Sequence, residues 1–175
     1  YNYKNKEIID HSIEKSLNSK LFKKIIVVTN KINRLKKYKH SKLIKIIKGG
    51  KTRSDSSLIA LKFIKKFKPK NVLIHDAARP LVTDKLIEKI LFNLKKYKTV
   101  IPYINYSDRK IHNNKQINNN IKNIQTPQGF DYKLILSAHK YLKKNNFSDD
   151  SSLIENLGKK IKYLKGEKTN LKITY

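Results

Sequence analysis

Three polar clusters stand where short apolar runs of the chain end, and their residue types suit phosphate chemistry. The sharpest is His75-Asp76-Ala77-Ala78-Arg79-Pro80, directly after the apolar run Val72-Leu73-Ile74. A carboxylate at such a strand end can hold Mg²⁺, a hard cation bound through one or two carboxylates and the phosphates of a substrate. Arg79 can grip a phosphate or sugar oxygen through two donors. Ala77 and Ala78 leave room for a ligand against the backbone. The competing reading is an Asp–Arg pair that merely closes the strand end. His75 reads as packed or hydrogen-bonded beneath the site rather than as a catalytic base. The second cluster is Gly49-Gly50-Lys51-Thr52-Arg53-Ser54-Asp55-Ser56-Ser57. Two glycines admit a ligand close to the backbone, and the helix that follows offers free N–H groups to an anion. A glycine turn followed by Ser and Asp helix caps explains the same residues equally well. The third is Gln125-Thr126-Pro127-Gln128-Gly129-Phe130, an extended segment and turn enforced by the proline. No Gly-x-Ser-x-Gly elbow, His-Glu-x-x-His or Walker lysine loop is present, so serine hydrolase, zincin and P-loop chemistries have no support.

These clusters need a scaffold that brings strand ends together. Ile- and Val-rich runs at residues 25–28, 43–47, 72–74 and 100–101 read as buried parallel strands. Helical periods separate them at residues 8–17, 57–67 and 86–97, with Leu58, Leu61, Ile64 and Phe67 sharing one face. The alternation predicts an α/β domain with a doubly wound, mostly parallel, Rossmann-like sheet, in which ligands sit outside the carboxyl ends of strands. Residues 104–125 break the pattern: they are polar, rich in Asn, and carry isolated Ile111, Ile117, Ile121 and Ile124. A structureless loop of that length is improbable in a compact domain, so it reads as a protruding β-arm that meets a partner subunit. A helix is expected over residues 131–144, an acidic turn at Asp149-Asp150, and strands near 161–164 and 171–173. With no repeat and no linker, the 175 residues read as one domain.

Composition narrows the function further. Lys and Arg total 41 against 13 Asp and Glu, a formal charge of +28. Such charge ordinarily suggests nucleic acid or an anionic membrane. Arg, however, occurs only at Arg34, Arg53, Arg79 and Arg109, and the bidentate guanine contacts of sequence-specific readers depend on Arg. The abundant Lys, Ile and Asn share AT-rich codons, so the charge reads as solvated helix faces, with a Lys-rich nucleic-acid-binding domain as the rival of another class. Cys is absent, which excludes a disulfide scaffold, a Cys-ligated zinc and a thiol nucleophile, and fits a reducing cytoplasm. No apolar run approaches the ~20 residues of a membrane span. The chain opens on Tyr1 just ahead of a helix and stops at Tyr175, which reads as a fragment of a longer protein.

Taken in order and spacing, the motifs resemble one family, the methylerythritol phosphate cytidylyltransferases. The resemblance rests on Gly49-Gly50…Arg53…Asp55-Ser56, His75-Asp76-Ala77-Ala78-Arg79-Pro80, Gln125-Thr126-Pro127-Gln128-Gly129-Phe130, Ser148-Asp149-Asp150-Ser151-Ser152, and Gly166…Asn170-Leu171-Lys172-Ile173-Thr174. It implies that CTP and methylerythritol phosphate react, with Mg²⁺, to give the cytidine diphospho-alcohol and pyrophosphate. It also implies roles. Gly49, Gly50, Lys51 and Ser56 would line the CTP pocket, with Arg53 nearby. Asp76 would contact metal and substrate; Ala77, Arg79, Thr126 and Lys172 would hold the substrate, Lys172 orienting its phosphate. The arm would make a homodimer in which Thr126 acts across the interface. The setting implied is the cytoplasm, or a plastid-type organelle in a eukaryote.

The chain departs from the family pattern in three places. The family's first strand, its Ala-Ala-Gly-x-Gly-x-Arg loop and the lysine of a Pro-Lys-Gln segment would all precede Tyr1, so the fragment alone is expected to be a poor catalyst. Asn118 aligns with a substrate-orienting arginine. Asn105-Tyr106 stands where an Asp-Thr pair is usual. A ribitol phosphate cytidylyltransferase is the nearest enzymatic alternative, disfavoured by Ala77-Ala78. A fusion to a cyclodiphosphate synthase domain is a further expectation for the region beyond Tyr175.

Overall fold

The computed structural model describes residues 2–3, 5–38, 44–105, 110–112, 115–117, 122–141 and 149–173. A two-residue hairpin, β1 (Asn2–Tyr3) and β2 (Lys6–Glu7), leads into α1 (Ile8–Asn18). Strand β3 (Ile25–Val28) pairs in parallel with β4 (Ile44–Ile47), Ile25 opposite Ile44, and a 3₁₀ helix at Ile32–Tyr38 lies between them. Helix α2 (Arg53–Ile64) begins four residues earlier than its apolar period predicts. The reason is local: the Thr52 hydroxyl accepts from the Asp55 N–H while the Asp55 carboxylate accepts from the Thr52 N–H, a capping box that fixes the start. The chain continues through β5 (Asn71–Ile74), α3 (Asp84–Asn93) and β6 (Thr99–Asn105), then β7 (Lys110–His112), β8 (Lys115–Ile117) and β9 (Lys122–Ile124). It ends with β10 (Gln128–Asp131), α4 (Tyr132–Tyr141), α5 (Asp150–Asn156) and β11 (Lys162–Lys165).

The main sheet runs in the order β11-β6-β10-β5. Strand β10 is antiparallel to both β5 and β6, and β11 is parallel to β6. It follows that β5, β6 and β11 point the same way and share one carboxyl edge. Both faces are covered. Val100 packs with Leu86, Ile87 and Ile90 of α3, while Ile101 packs on the other side with Leu61, Ile135, Leu153 and Ile154 of α2, α4 and α5. Neighbouring residues of β6 thus feed opposite layers, as the pleat requires, which is the doubly wound α/β arrangement expected.

The reversed strand β10 was not legible as a strand. It is four residues long, contains a glycine and follows the cis Thr126–Pro127 bond. The glycine matters for packing: a Cβ at Gly129 would lie 2.5 Å from Ile90 Cγ2, so α3 closes directly on the β10 backbone. The strand expected near 171–173 is absent; those residues form no regular element and are tied by the Ile173 N–H to the Ala78 carbonyl at 2.8 Å. In the arm, β7 and β8 form an antiparallel pair and β9 returns against the end of β6, Tyr103 opposite Ile124. Tyr106, Asn118 and Ile121 lie outside the described residues.

Among the described residues, β3 pairs only with β4, and β5 only with β10. The free edges of β3 and β5 line the same cavity of about 1010 Å³, together with Leu61, Ile64, Val82 and Ile87. That is the upper end of the roughly 300–1,000 Å³ typical of ligand pockets. Its apolar floor belongs to the core, and its polar rim is formed by Arg53, Ser56, His75 and Asp76.

Candidate active site

Asp76 sits two residues beyond β5, on the carboxyl edge of the sheet, with its side chain 20% exposed. It lies between two cations. Its Oδ2 is 3.1 Å from Lys172 Nζ and its Oδ1 is 3.6 Å from Arg53 Nε. Lys172 arrives from the extended segment after β11, and Arg53 is the first residue of α2. Residues from three distant stretches of sequence therefore converge on one carboxylate.

The backbone of Asp76 is set by a chain of hydrogen bonds with only one consistent direction. The Asp76 N–H donates to Thr126 Oγ1 at 3.0 Å. Thr126 Oγ1 and His75 Nδ1 are 3.0 Å apart, and His75 Nε2 is 3.1 Å from the Arg79 carbonyl. A carbonyl can only accept, so the imidazole carries its proton on Nε2 and accepts the Thr126 hydroxyl proton on Nδ1. Burial pushes the His75 pKa down to about 4, against hydrogen bonds and the Asp76 charge that favour the cation. The ring is neutral near pH 7 and structural, as expected. The unfolded chain takes up this proton below about 6.5 and the folded chain only near about 4. Between those values the unfolded state binds more protons, so stability should fall as pH falls, with a slope approaching ~1.4 kcal/mol per pH unit. His75→Gln should flatten that slope in denaturant melts from pH 4 to 6.5 without divalent cations; an unchanged slope would show that His75 is not its source.

The Thr126 hydroxyl thus sets the Asp76 loop of its own chain. Asn170 Nδ2 donates to the Thr126 carbonyl at 2.8 Å and holds this residue against the Asp76 loop. Arg79 is 8% exposed and donates from Nη1 to the Asn170 carbonyl at 2.8 Å and from Nη2 toward the Ile124 carbonyl at 3.5 Å. Its guanidinium ties the Lys172 segment to the arm's root. Gln125 supports the same segment, donating to the carbonyls of Glu167 and Asn170.

The glycine loop precedes Arg53 and Ser56, which line the same cavity. Ser56 Oγ accepts from the Gly50 N–H at 3.1 Å and donates to the Thr52 carbonyl at 3.0 Å, so this hydroxyl shapes the loop. A Cβ on Gly50 would come within 2.3 Å of Asp55 Cβ, and one on Gly49 within 2.9 Å of Ser56 Oγ. Close approach, not an unusual φ, is what requires glycine here. Lys51 is exposed beside them and Ala77 is exposed beside Asp76.

Two residues escaped the sequence reading as site residues. His139 and Asp150 are each 1% exposed in their side chains, with Nε2 2.9 Å from Oδ1. Asp150 Oδ2 lies 2.7 Å from Arg53 Nη2. Burial alone would raise the Asp150 pKa, but the hydrogen bond from His139 and the Arg53 charge hold it below the ordinary carboxylate value. Burial likewise works against the Arg53 charge, and Asp150 and Asp76 outweigh it. The signal was present in the helical period: His139 shares the buried face of α4 with Tyr132, Ile135 and Ala138, and a polar ring there demands a buried partner.

A glycine loop at a helix N-terminus and a carboxylate flanked by cations, on the carboxyl edge of a doubly wound α/β sheet, make a site suited to a phosphate-bearing ligand. The model of the family described as IspD, 2-C-methyl-D-erythritol 4-phosphate cytidylyltransferase, matches residues 1–175. The chain belongs to this family. It is 44% identical over 99% of its length to the bifunctional enzyme IspD/IspF of Pelagibacter ubique, of which it spans 48%. It is 37% identical to the 2-C-methyl-D-erythritol 4-phosphate cytidylyltransferase of Clostridium botulinum, covering 98% of this chain and 81% of that one. Among solved structures, 4-diphosphocytidyl-2C-methyl-D-erythritol synthase from Anaerococcus prevotii superposes with a TM-score of 0.89 at 30% identity, over 99% of this chain and 83% of that one. The bifunctional IspDF of Campylobacter jejuni gives 0.84 at 31% identity, over 97% of this chain and 44% of that one. The chain therefore spans about half of the bifunctional relatives and about four fifths of the single-function ones.

Proposed function

We propose that this chain forms the body of an enzyme that joins CTP and 2-C-methyl-D-erythritol 4-phosphate into 4-diphosphocytidyl-2-C-methyl-D-erythritol, releasing pyrophosphate. The observation that carries the reading is Asp76, held between Lys172 and Arg53 beside the Gly49-Gly50 loop, in a chain of this family. A phosphate oxygen of the acceptor attacks the α-phosphorus of CTP in line; the bond to the bridging oxygen breaks, and pyrophosphate leaves with the electron pair. The protein's part in such a reaction is positioning and charge neutralisation. Gly49, Gly50 and Lys51 line the nucleotide side, and Ser56 keeps that loop in shape. Lys172, 46% exposed, is free to turn its ammonium to the acceptor phosphate. Asp76 and Ala77 face the acceptor, while Thr126 and Arg79 fix the loop and the segment that carry Asp76 and Lys172.

Mg²⁺ fits this donor set. Among the described residues no group of three or more His, Cys, Asp or Glu could hold a metal ion, so an ion here would be shared between Asp76 and the phosphates, as Mg²⁺ usually is. When bound it would offset phosphate charge. The free edges of β3 and β5 and the cavity between them suit one further strand, supplied by a segment ahead of Tyr1 and carrying a phosphate loop to the Asp76 rim. Both substrates are small charged phosphates, which fits a cytoplasmic reaction; among the described residues no helix is long and apolar enough to cross a membrane.

The β7–β8 pair and β9 are read as the dimer contact, because a two-stranded ribbon is marginal by itself in water. Sedimentation of the full-length protein should give a dimer, and deletion of residues 107–120 a monomer with its α/β body intact and much reduced activity. A fully active intact monomer at micromolar concentration would refute this.

The decisive test of function incubates the full-length protein with CTP, Mg²⁺ and either 2-C-methyl-D-erythritol 4-phosphate or ribitol 5-phosphate. Product from the first supports the proposal; product from ribitol 5-phosphate alone overturns it. The charge of +28 is incidental in this reading. Exposed lysines occur on α2 and α4 on one side of the sheet and on α3 on the other, not on a single face. Duplex DNA binding should therefore be weak and should disappear near ~150 mM salt, as nonspecific phosphate contacts do. Tight sequence-selective binding at that salt would favour a nucleic-acid role instead.

A further inference from the structure

We propose that His139 and Asp150 are positioning residues that fix the Arg53 guanidinium and, through it, the carboxylate of Asp76. The inference rests on the cytidylyl-transfer reading above and deepens it with two residues that line no ligand surface.

The path is continuous. His139 Nε2 is 2.9 Å from Asp150 Oδ1; Asp150 Oδ2 is 2.7 Å from Arg53 Nη2. Arg53 Nε is 3.6 Å from Asp76 Oδ1, and Asp76 Oδ2 is 3.1 Å from Lys172 Nζ. Its inner end is fully buried and its outer part is not: His139 and Asp150 are 1% exposed, Arg53 35%, Asp76 20% and Lys172 46%. The anchored end is in the core and the working end faces solvent.

Each link has a reason. A lone buried carboxylate is costly, and Asp150 is compensated by a hydrogen bond at Oδ1 and by the Arg53 charge beside Oδ2. One donor comes from the packed face of α4, where His139 has little room to move. Beside the other oxygen stands Arg53, paired by charge at Nη2, and a planar guanidinium drawn to Asp150 at that end carries its Nε edge toward Asp76. That edge is turned to Asp76 at a distance too long for a full hydrogen bond. Arg53 therefore biases the Asp76 carboxylate by charge while leaving Oδ1 able to accept another ligand. Asp149 is occupied otherwise. As the N-cap of α5 it accepts from the Ser152 N–H and from Gln128 Nε2, so it fixes where Asp150 begins the helix. Buried ion pairs of this kind add little net stability compared with well-packed apolar groups, so orientation is the property they supply.

The test uses the full-length enzyme with Asp150→Asn, His139→Leu and His139→Gln. The readouts are kcat, KM for CTP, thermal melting, and the exchange protection of the Arg53 Nε–H resonance in ¹⁵N NMR. Asp150→Asn and His139→Leu should lower kcat by about 10-fold or more, the size usual for outer-shell partners, with KM for CTP moved less than ~3-fold. Both should also lose protection at Arg53 Nε–H. His139→Gln keeps a donor for Asp150 and should stay near wild type in both readouts. Unchanged kcat and unchanged Arg53 protection in Asp150→Asn would overturn the proposal. So would activity that falls only in step with the folded fraction while Arg53 stays protected. If Asp150→Asn does not fold, the Leu and Gln variants decide, and Gln faring no better than Leu would remove His139 from the device. If the wild type makes no product from CTP and 2-C-methyl-D-erythritol 4-phosphate, the functional reading fails, and Arg53 protection still decides the positioning role by itself.

Discussion

Asp76→Asn in the full-length enzyme should lower turnover of CTP and 2-C-methyl-D-erythritol 4-phosphate by about 100-fold or more, with the fold intact. The substitution keeps the shape of the side chain and removes one negative charge. Asp76 stands between Lys172 at 3.1 Å and Arg53 at 3.6 Å, so its loss leaves two cations without their shared partner at the point where phosphates must be aligned. It also removes the carboxylate that suits Mg²⁺ here. Stability should change little, because the side chain is 20% exposed and its backbone N–H keeps the bond to Thr126. Initial rates, metal titration and thermal melting of the pair check this together. A near-normal rate would mean that Asp76 only closes the end of β5.

Much of the architecture was legible because β3 is Ile25-Ile26-Val27-Val28 and β5 carries Val72-Leu73-Ile74, and a strand covered on both faces must be apolar; β4 was readable from Ile44, Ile46 and Ile47 around the exposed Lys45. Helix α3 announced itself through period, with Leu86, Ile87 and Ile90 all buried. What stayed hidden depends on tertiary context. Gln128-Gly129-Phe130-Asp131 has no strand pattern, yet the sheet pairs it on both sides, between β5 and β6, where Gly129 lets α3 close on its backbone. The site shows the same division. Asp76 and the glycine loop were readable as polar groups at strand ends, and Lys172 through the family resemblance. The Arg79 ties and the Asp150 anchor were not, because their partners are backbone carbonyls and side chains distant in sequence, 91 residues away for Arg79 and Asn170. A motif shows which groups are chemically able to act; which of them are held by a neighbour depends on the packing.

Supplying the strand between β3 and β5 should change the chain more than any single substitution. If a longer form of the chain brings such a strand with the glycine-rich, arginine-bearing loop that the family resemblance implies, it should be at least about 1,000-fold more active than the 175 residues alone, because one positioned donor commonly counts for 10²–10³. The structural basis is a mismatch inside the sheet. Val100 and Ile101 of β6 are fully buried, whereas every residue of β3 and β5 is only partly buried, although all but Asn71 are apolar. Half-buried Ile25, Ile26, Val72 and Leu73 around a cavity of about 1010 Å³ forgo burial that a paired neighbour would provide. A strand there would satisfy both free edges at once and end beside Asp76 and Ala77, which stand on the rim of the same cavity. Hydrogen exchange separates this from a simple gain in stability. Amides of residues 25–28 and 71–74 should gain protection in the longer protein relative to the amides of β6, whose partners are already in place, and the melting temperature should rise with them. Equal protection at β3 and β5 in both proteins, or equal activity, would show that the cavity is a ligand pocket in its own right and that the strand lies elsewhere.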